Sequence, residues 1–193
     1  MHTIKENIIN EIVIQKSRFI TCLYKINNKD EVNKHLDKIK DDYPFATHYC
    51  YAYRLDNIEK CSDDGEPKGT AGTPILHVLQ MNNLTNILCV VIRYFGGIKL
   101  GAGGLVRAYT KGVTESLKNA AIIPLIEGYK IQIIFEHSSL KQIDYLLKDY
   151  SIIKIYDTNI IYELSISKNE LENVKNSLTP YIIEFKILED VYI

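Results

Sequence analysis

Hydrophobic and polar positions alternate cleanly in residues 48–55, where His48, Cys50, Ala52 and Arg54 face one way and Tyr49, Tyr51, Tyr53 and Leu55 the other. A period of two is that of a β-strand. Residues 8–14 and 18–26 are rich in β-branched side chains and predict two strands joined across residues 15–17. Residues 87–94 are almost wholly apolar, which predicts a strand covered on both faces. Helical spacing appears in residues 30–41, with Val32, Leu36 and Ile39 on one side. Thr73 followed by Pro74 reads as an N-cap and first-turn proline opening a short helix through Met81. Residues 105–121 predict a longer helix. Leu105, Tyr109, Val113, Leu117 and Ala120 share one side, and Arg107, Lys111, Thr114 and Lys118 fall within roughly 60° of one another on the other. Residues 57–72, dense in turn formers, read as a long loop.

Pro124 ends this series, and a second one follows. The patterns give a strand at 129–135, a helix at 138–148, strands at 152–156 and 160–166, a helix at 169–178 and a strand at 181–188. Ser138 and the pair Lys168-Asn169 are plausible caps, and Asp157-Thr158-Asn159 makes a short hairpin connection. The order βαββαβ is the ferredoxin-like plan. The expected fold class is therefore α+β in two domains, residues 1–124 and 125–193.

Composition narrows the functional classes. A chain of 193 residues with 46% hydrophobic and 24% charged residues is an ordinary globular protein. Its longest run of aliphatic and cysteine residues, 87–92, is far short of the roughly 20 a membrane span needs, and Lys5, Glu6 and Glu11 interrupt the N-terminus. The expectation is a cytoplasmic protein with no membrane partner. Cys22, Cys50, Cys61 and Cys89 contain no pair at the two-residue spacing of zinc or redox motifs and read as reduced thiols. No metal and no cofactor are expected.

The formal net charge is 23 − 24 = −1, so any polyanion must be held by a local patch. Residues 1–124 carry 16 basic and 13 acidic side chains, whereas residues 125–193 carry 7 and 11, which favours the first half. Nine of the ten glycines lie between Gly65 and Gly112, and five of them between Gly96 and Gly104. Glycine at this density marks backbone that turns tightly or approaches something closely. Arg93 ends the apolar strand, Gly96, Gly97, Gly101, Gly103 and Gly104 surround Lys99, and Arg107 and Lys111 follow on the helix. A strand end, a glycine loop exposing N–H groups and a helix N-terminus together suit an anion. The segment is neither a Walker A motif, since Ala102 follows Gly101, nor a dinucleotide fingerprint, since Val106 stands where glycine or alanine is required. The competing reading is close packing, with Arg93 and Arg107 paired to acids of the preceding loop.

That loop carries Asp63, Asp64 and Glu66, three acids in four residues. They could ligate a cation, but the segment lacks the alternating acids and later glutamate of an EF-hand, so a solvated or arginine-paired loop is the expectation. His48 could act with Asp64, or join Cys50 and Cys61 around zinc, although lone histidines and cysteines are mostly structural. Tyr49, Tyr51 and Tyr53 resemble a base-stacking platform, and equally a set of core tyrosines with wet hydroxyls.

Four blocks stand in one order: Lys16-Ser17-Arg18-Phe19-Ile20; Ala46-Thr47-His48; Ser62-Asp63-Asp64-Gly65-Glu66-Pro67 with Gly69-Thr70-Ala71-Gly72; and Arg93-Tyr94-Phe95-Gly96-Gly97 through Arg107. In these the chain resembles the YigZ/IMPACT family, and residues 125–193 look like the small second domain of its bacterial YigZ branch. Between the histidine and the cysteine, where the family carries Asn, this chain has Tyr49. The resemblance implies a ribosomal protein S5 domain 2-like fold for the first domain. It also implies a pair similar to the last two domains of elongation factor G, and a link to translation, since IMPACT proteins regulate translational stress signalling by competing for a protein partner. The expected function is a non-catalytic regulatory protein contacting RNA or a ribosome-associated protein through its glycine-rich basic face. The alternative is an enzyme holding a phosphate-containing ligand in the same loop.

Overall fold

The computed structural model describes residues 1–55 and 58–193, so Asn57, the first residue of the expected long loop, lies outside the described residues. The chain divides into two compact units, Met1–Pro124 and Leu125–Ile193. No helix among the described residues is long and apolar enough to cross a membrane.

The first unit is built on a five-stranded antiparallel sheet, ordered β2 (Ile8–Ile14), β3 (Ser17–Lys25), β6 (Ile87–Tyr94), β4 (His48–Leu55), β5 (Ile58–Ser62). The near-continuous apolar run of β6 is central, and its residues from Ile87 to Arg93 are all buried. Helix α1 (Lys29–Asp42) covers one face, packing Val32, Leu36 and Ile39 against Ile20, Cys22, Tyr53, Leu88 and Val90. Helices α2 (Gly72–Met81) and α3 (Gly101–Lys118) cover the other, with Ile75, Leu79, Tyr109 and Val113 against Phe19, Leu23, Cys89 and Val91. Each such aliphatic burial stabilises the fold by about 1.5–3 kcal/mol. The alternation in β4 sends Cys50 and Ala52 into the second of these layers and the three tyrosines toward α1. A small ribbon of β1 (His2–Ile4) and β7 (Ile122–Pro124) ties the two ends of the unit together.

Three sequence expectations need correction here. Residues 58–62 form edge strand β5 rather than loop, because pairing with β4 supplies the hydrogen bonds that their own polar composition does not advertise. Helix α2 begins at Gly72, and no side chain of its own N-cap, Ala71, closes it, so Thr73 is not the cap. Helix α3 begins at Gly101 rather than Leu105, so Gly101, Gly103 and Gly104 belong to its first turn. A Cβ added at Gly104 would lie 3.0 Å from Leu100 Cβ, so Leu100, which packs on the core, would have to give way to it.

The second unit comprises β8 (Glu127–Phe135), α4 (Leu140–Leu146), β9 (Ile152–Tyr156), β10 (Ile160–Ser167), α5 (Leu171–Leu178) and β11 (Glu184–Tyr192). Its antiparallel sheet runs β11-β8-β10-β9, with Ile131, Ile133, Phe135, Tyr162 and Leu164 packed against Ile143, Leu147 and Leu178. Neither α4 nor α5 has a side-chain N-cap bond, so neither Ser138 nor Asn169 caps a helix.

Candidate functional site

The antiparallel registers place His48 beside Arg93 and Arg18 beside Tyr94. The turn before β3, the segment before β4 and the loop after β6 therefore share one end of the sheet. The loop after β5 joins them there, because the Asp64 carbonyl accepts from His48 Nδ1 at 2.8 Å. All four sequence blocks thus meet at one edge of the first unit. Gly96 is the point of closest approach: a Cβ there would sit 2.0 Å from the Lys16 carbonyl carbon, so no side chain fits. The Gly96 N–H also donates to Ser17 Oγ at 3.1 Å, and the Phe95 N–H to Thr47 Oγ1 at 3.0 Å.

Beneath these loops lies a buried polar network centred on Glu66. Its Oε1 accepts from Arg93 Nη1 at 2.6 Å and from Tyr109 Oη at 2.8 Å, with only 3% of the Glu66 side chain and 6% of the Arg93 side chain exposed. Unpaired burial of either charge would be prohibitive, and the pair resolves it. Arg93 Nε nevertheless finds no hydrogen-bond partner among the described residues. The guanidinium sits over the rings of Phe19 and Phe95, at 5.4 and 5.5 Å from their centroids. A carbonyl only accepts, so the His48 proton bonded to Asp64 is on Nδ1, which leaves Nε2 3.8 Å from Glu66 Oε2. The Cys50 thiol lies 2.9 Å from the Asp63 carbonyl oxygen and 3.3 Å from Tyr109 Oη. Burial pushes that thiol up to about 12, and burial likewise drives the Tyr109 hydroxyl far above its ordinary range. Neither group is poised as a nucleophile or base at neutral pH.

Asp63 has a role that the acid count in its loop did not disclose. Its carboxylate accepts from the backbone N–H groups of Gly69 at 2.8 Å, Ala71 at 3.0 Å and Gly72 at 2.8 Å, capping α2 from outside the helix. Partial burial raises the Asp63 carboxyl, but the three N–H donors outweigh it and hold the group below its ordinary value. Asp64 accepts from the Tyr49 N–H at 2.6 Å. Among the described residues no three His, Cys, Asp or Glu side chains converge as metal ligands.

The basic residues divide into two groups. Arg93 is internal, paired to Glu66 as the packing reading had it. Lys99, Arg107 and Lys111 are exposed and make no ion pair among the described residues, while Lys118, on the same stripe of α3, pairs with Glu115 at 2.8 Å. The opposite side of α3 buries Leu105, Ala108, Tyr109, Val113 and Leu117, as the helical spacing predicts. Gly97 and Gly101 are exposed with φ of +84° and +69°, and no acceptor for the N–H groups of residues 97–100 occurs among the described residues. The tyrosines of β4 do not form an open platform: Tyr53 is buried, and half-buried Tyr49 and Tyr51 pack on the α1 side.

Residues 15–117 match the Impact N-terminal domain family. Over 181 residues the chain is 40% identical to the IMPACT family member YvyE of Bacillus subtilis, covering 87% of this chain and 80% of that protein. It is 39% identical over 142 residues to the IMPACT family member YigZ of Escherichia coli, covering 69% and 68% respectively. A crystal structure described as that of an hypothetical protein superposes with a TM-score of 0.72 over 97% of both chains, at 29% identity. The sequence blocks that meet at the sheet end all lie within or at the border of the matched segment, and the chain belongs to the IMPACT family.

Proposed function

We propose that this chain is a non-catalytic binding protein linked to translation, which contacts RNA or a ribosome-associated protein through the exposed row formed by Lys99, Arg107 and Lys111. In the same reading the first unit is an S5 domain 2-like domain and the second, with its βαββαβ order, a ferredoxin-like one. The observation that carries the proposal is the separation of charges at the sheet end. Arg93 is consumed by Glu66, whereas Lys99, in the loop with its unpaired N–H groups, and Arg107 and Lys111, on α3, face solvent. Solvated cations that make no direct ion pair, on an otherwise near-neutral chain, suit a specific anionic partner. The link to translation rests on family membership.

The test is a salt titration of oligo(U) binding by the wild type and by Arg107→Glu/Lys111→Glu. With about three phosphates contacted on a single strand, log K falls with log salt at a slope of about −2. The double variant flattens that slope by more than one unit, and its stability stays within about 0.5 kcal/mol because both side chains are solvated. Unchanged affinity and slope in a folded variant would return these side chains to a passive role.

A further inference from the structure

The five-stranded sheet of the first unit has two borders, and they are finished differently. Strand β2 stands at one end of the strand order and pairs only with β3, in an unbroken register from Ile8↔Leu23 to Ile14↔Ser17. The turn between them is Gln15 and Lys16, both at positive φ (44° and 66°), and a two-residue turn of this kind closes on a hydrogen-bonded pair. Ladder bonds alternate from there. Residues 8, 10, 12 and 14 therefore turn their backbone groups to β3, while those of Ile9, Glu11 and Val13 point outward and have no partner among the described residues. A row of free N–H and C=O groups along an edge is a template for one more strand, which proteins usually discourage with short strands, lysines, prolines or bulges. At the opposite border β5 is five residues long and carries Glu59 and Lys60, whereas β2 runs for seven residues without lysine, proline or bulge.

The side chains of the same three residues are open as well. Ile9 stands opposite Cys22, Glu11 opposite Ile20 and Val13 opposite Arg18, and Ile20 and Cys22 pack on the α1 side of the sheet. That cover stops short of β2, where Ile9 is 60% and Val13 62% exposed. Between them Glu11 accepts from Arg18 Nε at 2.8 Å and Nη2 at 2.9 Å. Arg18 lies one strand further in, its guanidinium 5.3 Å from the centroid of the Tyr94 ring, so the charge nearest the edge is negative. This charge selects the occupant. In the two-fold register that sets Ile9 against Val13 on both flanks, a second copy would bring Glu11 against Glu11, and like charges directly opposite destabilise a sheet. A strand with a basic residue at that point instead continues the alternation of Arg18 and Glu11, and apolar residues on either side of it cover Ile9 and Val13. We infer that the β2 edge accepts, as an added strand, an extended segment of a partner protein that reads apolar, basic, apolar at alternate positions. The inference is independent of the row formed by Lys99, Arg107 and Lys111.

The probe is the end-capped peptide Thr-Val-Thr-Lys-Thr-Val-Thr, which presents Val, Lys and Val on one face and reads alike in either direction; Thr-Val-Thr-Glu-Thr-Val-Thr is its control. Amide hydrogen exchange of residues 8–14 is followed by NMR with each peptide at millimolar concentration. The Lys peptide should slow exchange at Ile9, Glu11 and Val13 in proportion to occupancy. It should bind about 2- to 30-fold more tightly than the control, the span between opposite and like charges across a sheet. Glu11→Lys should keep the fold, since an exposed ion pair contributes little, and should reverse the preference between the peptides. If neither peptide protects the three amides, strand addition at β2 is overturned. Equal binding of the two peptides, or a preference that Glu11→Lys leaves unchanged, overturns the basic partner. Protection of the same amides that grows with protein concentration in the absence of peptide assigns the edge to a second copy and overturns the inference as well.

Discussion

The loop end of the first unit and the four-stranded sheet of the second treat their polar groups in opposite ways. In the second unit the ion pairs Lys130–Glu163, Lys154–Asp144, Lys168–Glu127 and Lys186–Glu184 all stay in contact with solvent over an apolar core. In the first, Glu66, Arg93 and Tyr109 are sealed beneath glycine-rich loops. Every described residue with positive φ, from Gln15 to Gly101, also lies in the first unit. Strained backbone and buried charge both cost stability, and they accumulate together where a chain is shaped for something besides folding. The second unit reads as scaffold and the first as scaffold with a worked edge.

The contrast breaks most visibly at Glu66. Glu66→Ala leaves the Arg93 guanidinium buried without its partner and should cost about 3–5 kcal/mol in chemical denaturation. Lys154→Ala, which removes a solvent-exposed pair of the second unit, should cost at most about 1 kcal/mol. Equal costs would erase the distinction between the two regions.

A smaller effect separates two neighbouring glycines. Gly96→Ala drives a methyl group into the Lys16 backbone and should cost about 1–3 kcal/mol, shifting the turn at residues 15–16. Gly97→Ala meets open space and carries only the left-handed penalty, at the low end of about 1–2 kcal/mol. The two unfolding curves would sharpen the assignment of Gly96 as the contact between loops; coincident curves would remove it.

The smallest effect tests the remote cap of α2. Asp63→Asn loses the charge that three N–H groups share, at about 1 kcal/mol near neutral pH. Because the folded-state value of Asp63 is depressed, its contribution is complete above the unfolded value of about 3.9 and is lost as pH falls through the lower folded value. Unfolding free energies of wild type and variant should therefore differ at pH 7 and converge in acid. A gap that persists below the folded value would assign the loss to geometry rather than charge.

The parts of this arrangement legible in the sequence are those set by periodicity. The spans of β4 and β6 and the two sides of α3 follow directly from the spacing of apolar residues, because burial enforces them position by position. Edge strand β5, with Ile-Glu-Lys-Cys-Ser, carries no such period, and only its pairing to β4 reveals it. The two readings offered for the arginines each describe one of them: Arg93 is paired inside and Arg107 is exposed outside. Spacing cannot distinguish these fates, since Glu66 reaches Arg93 across 27 positions of chain.

The central claim is that the contact surface lies at the loop end of the first unit. Amide chemical-shift mapping of the isotope-labelled chain during an oligo(U) titration tests it most directly. The account predicts perturbations concentrated in residues 96–111, with the amides of residues 125–193 largely unmoved. Perturbations centred on the second unit, with the glycine segment and α3 silent, would contradict it.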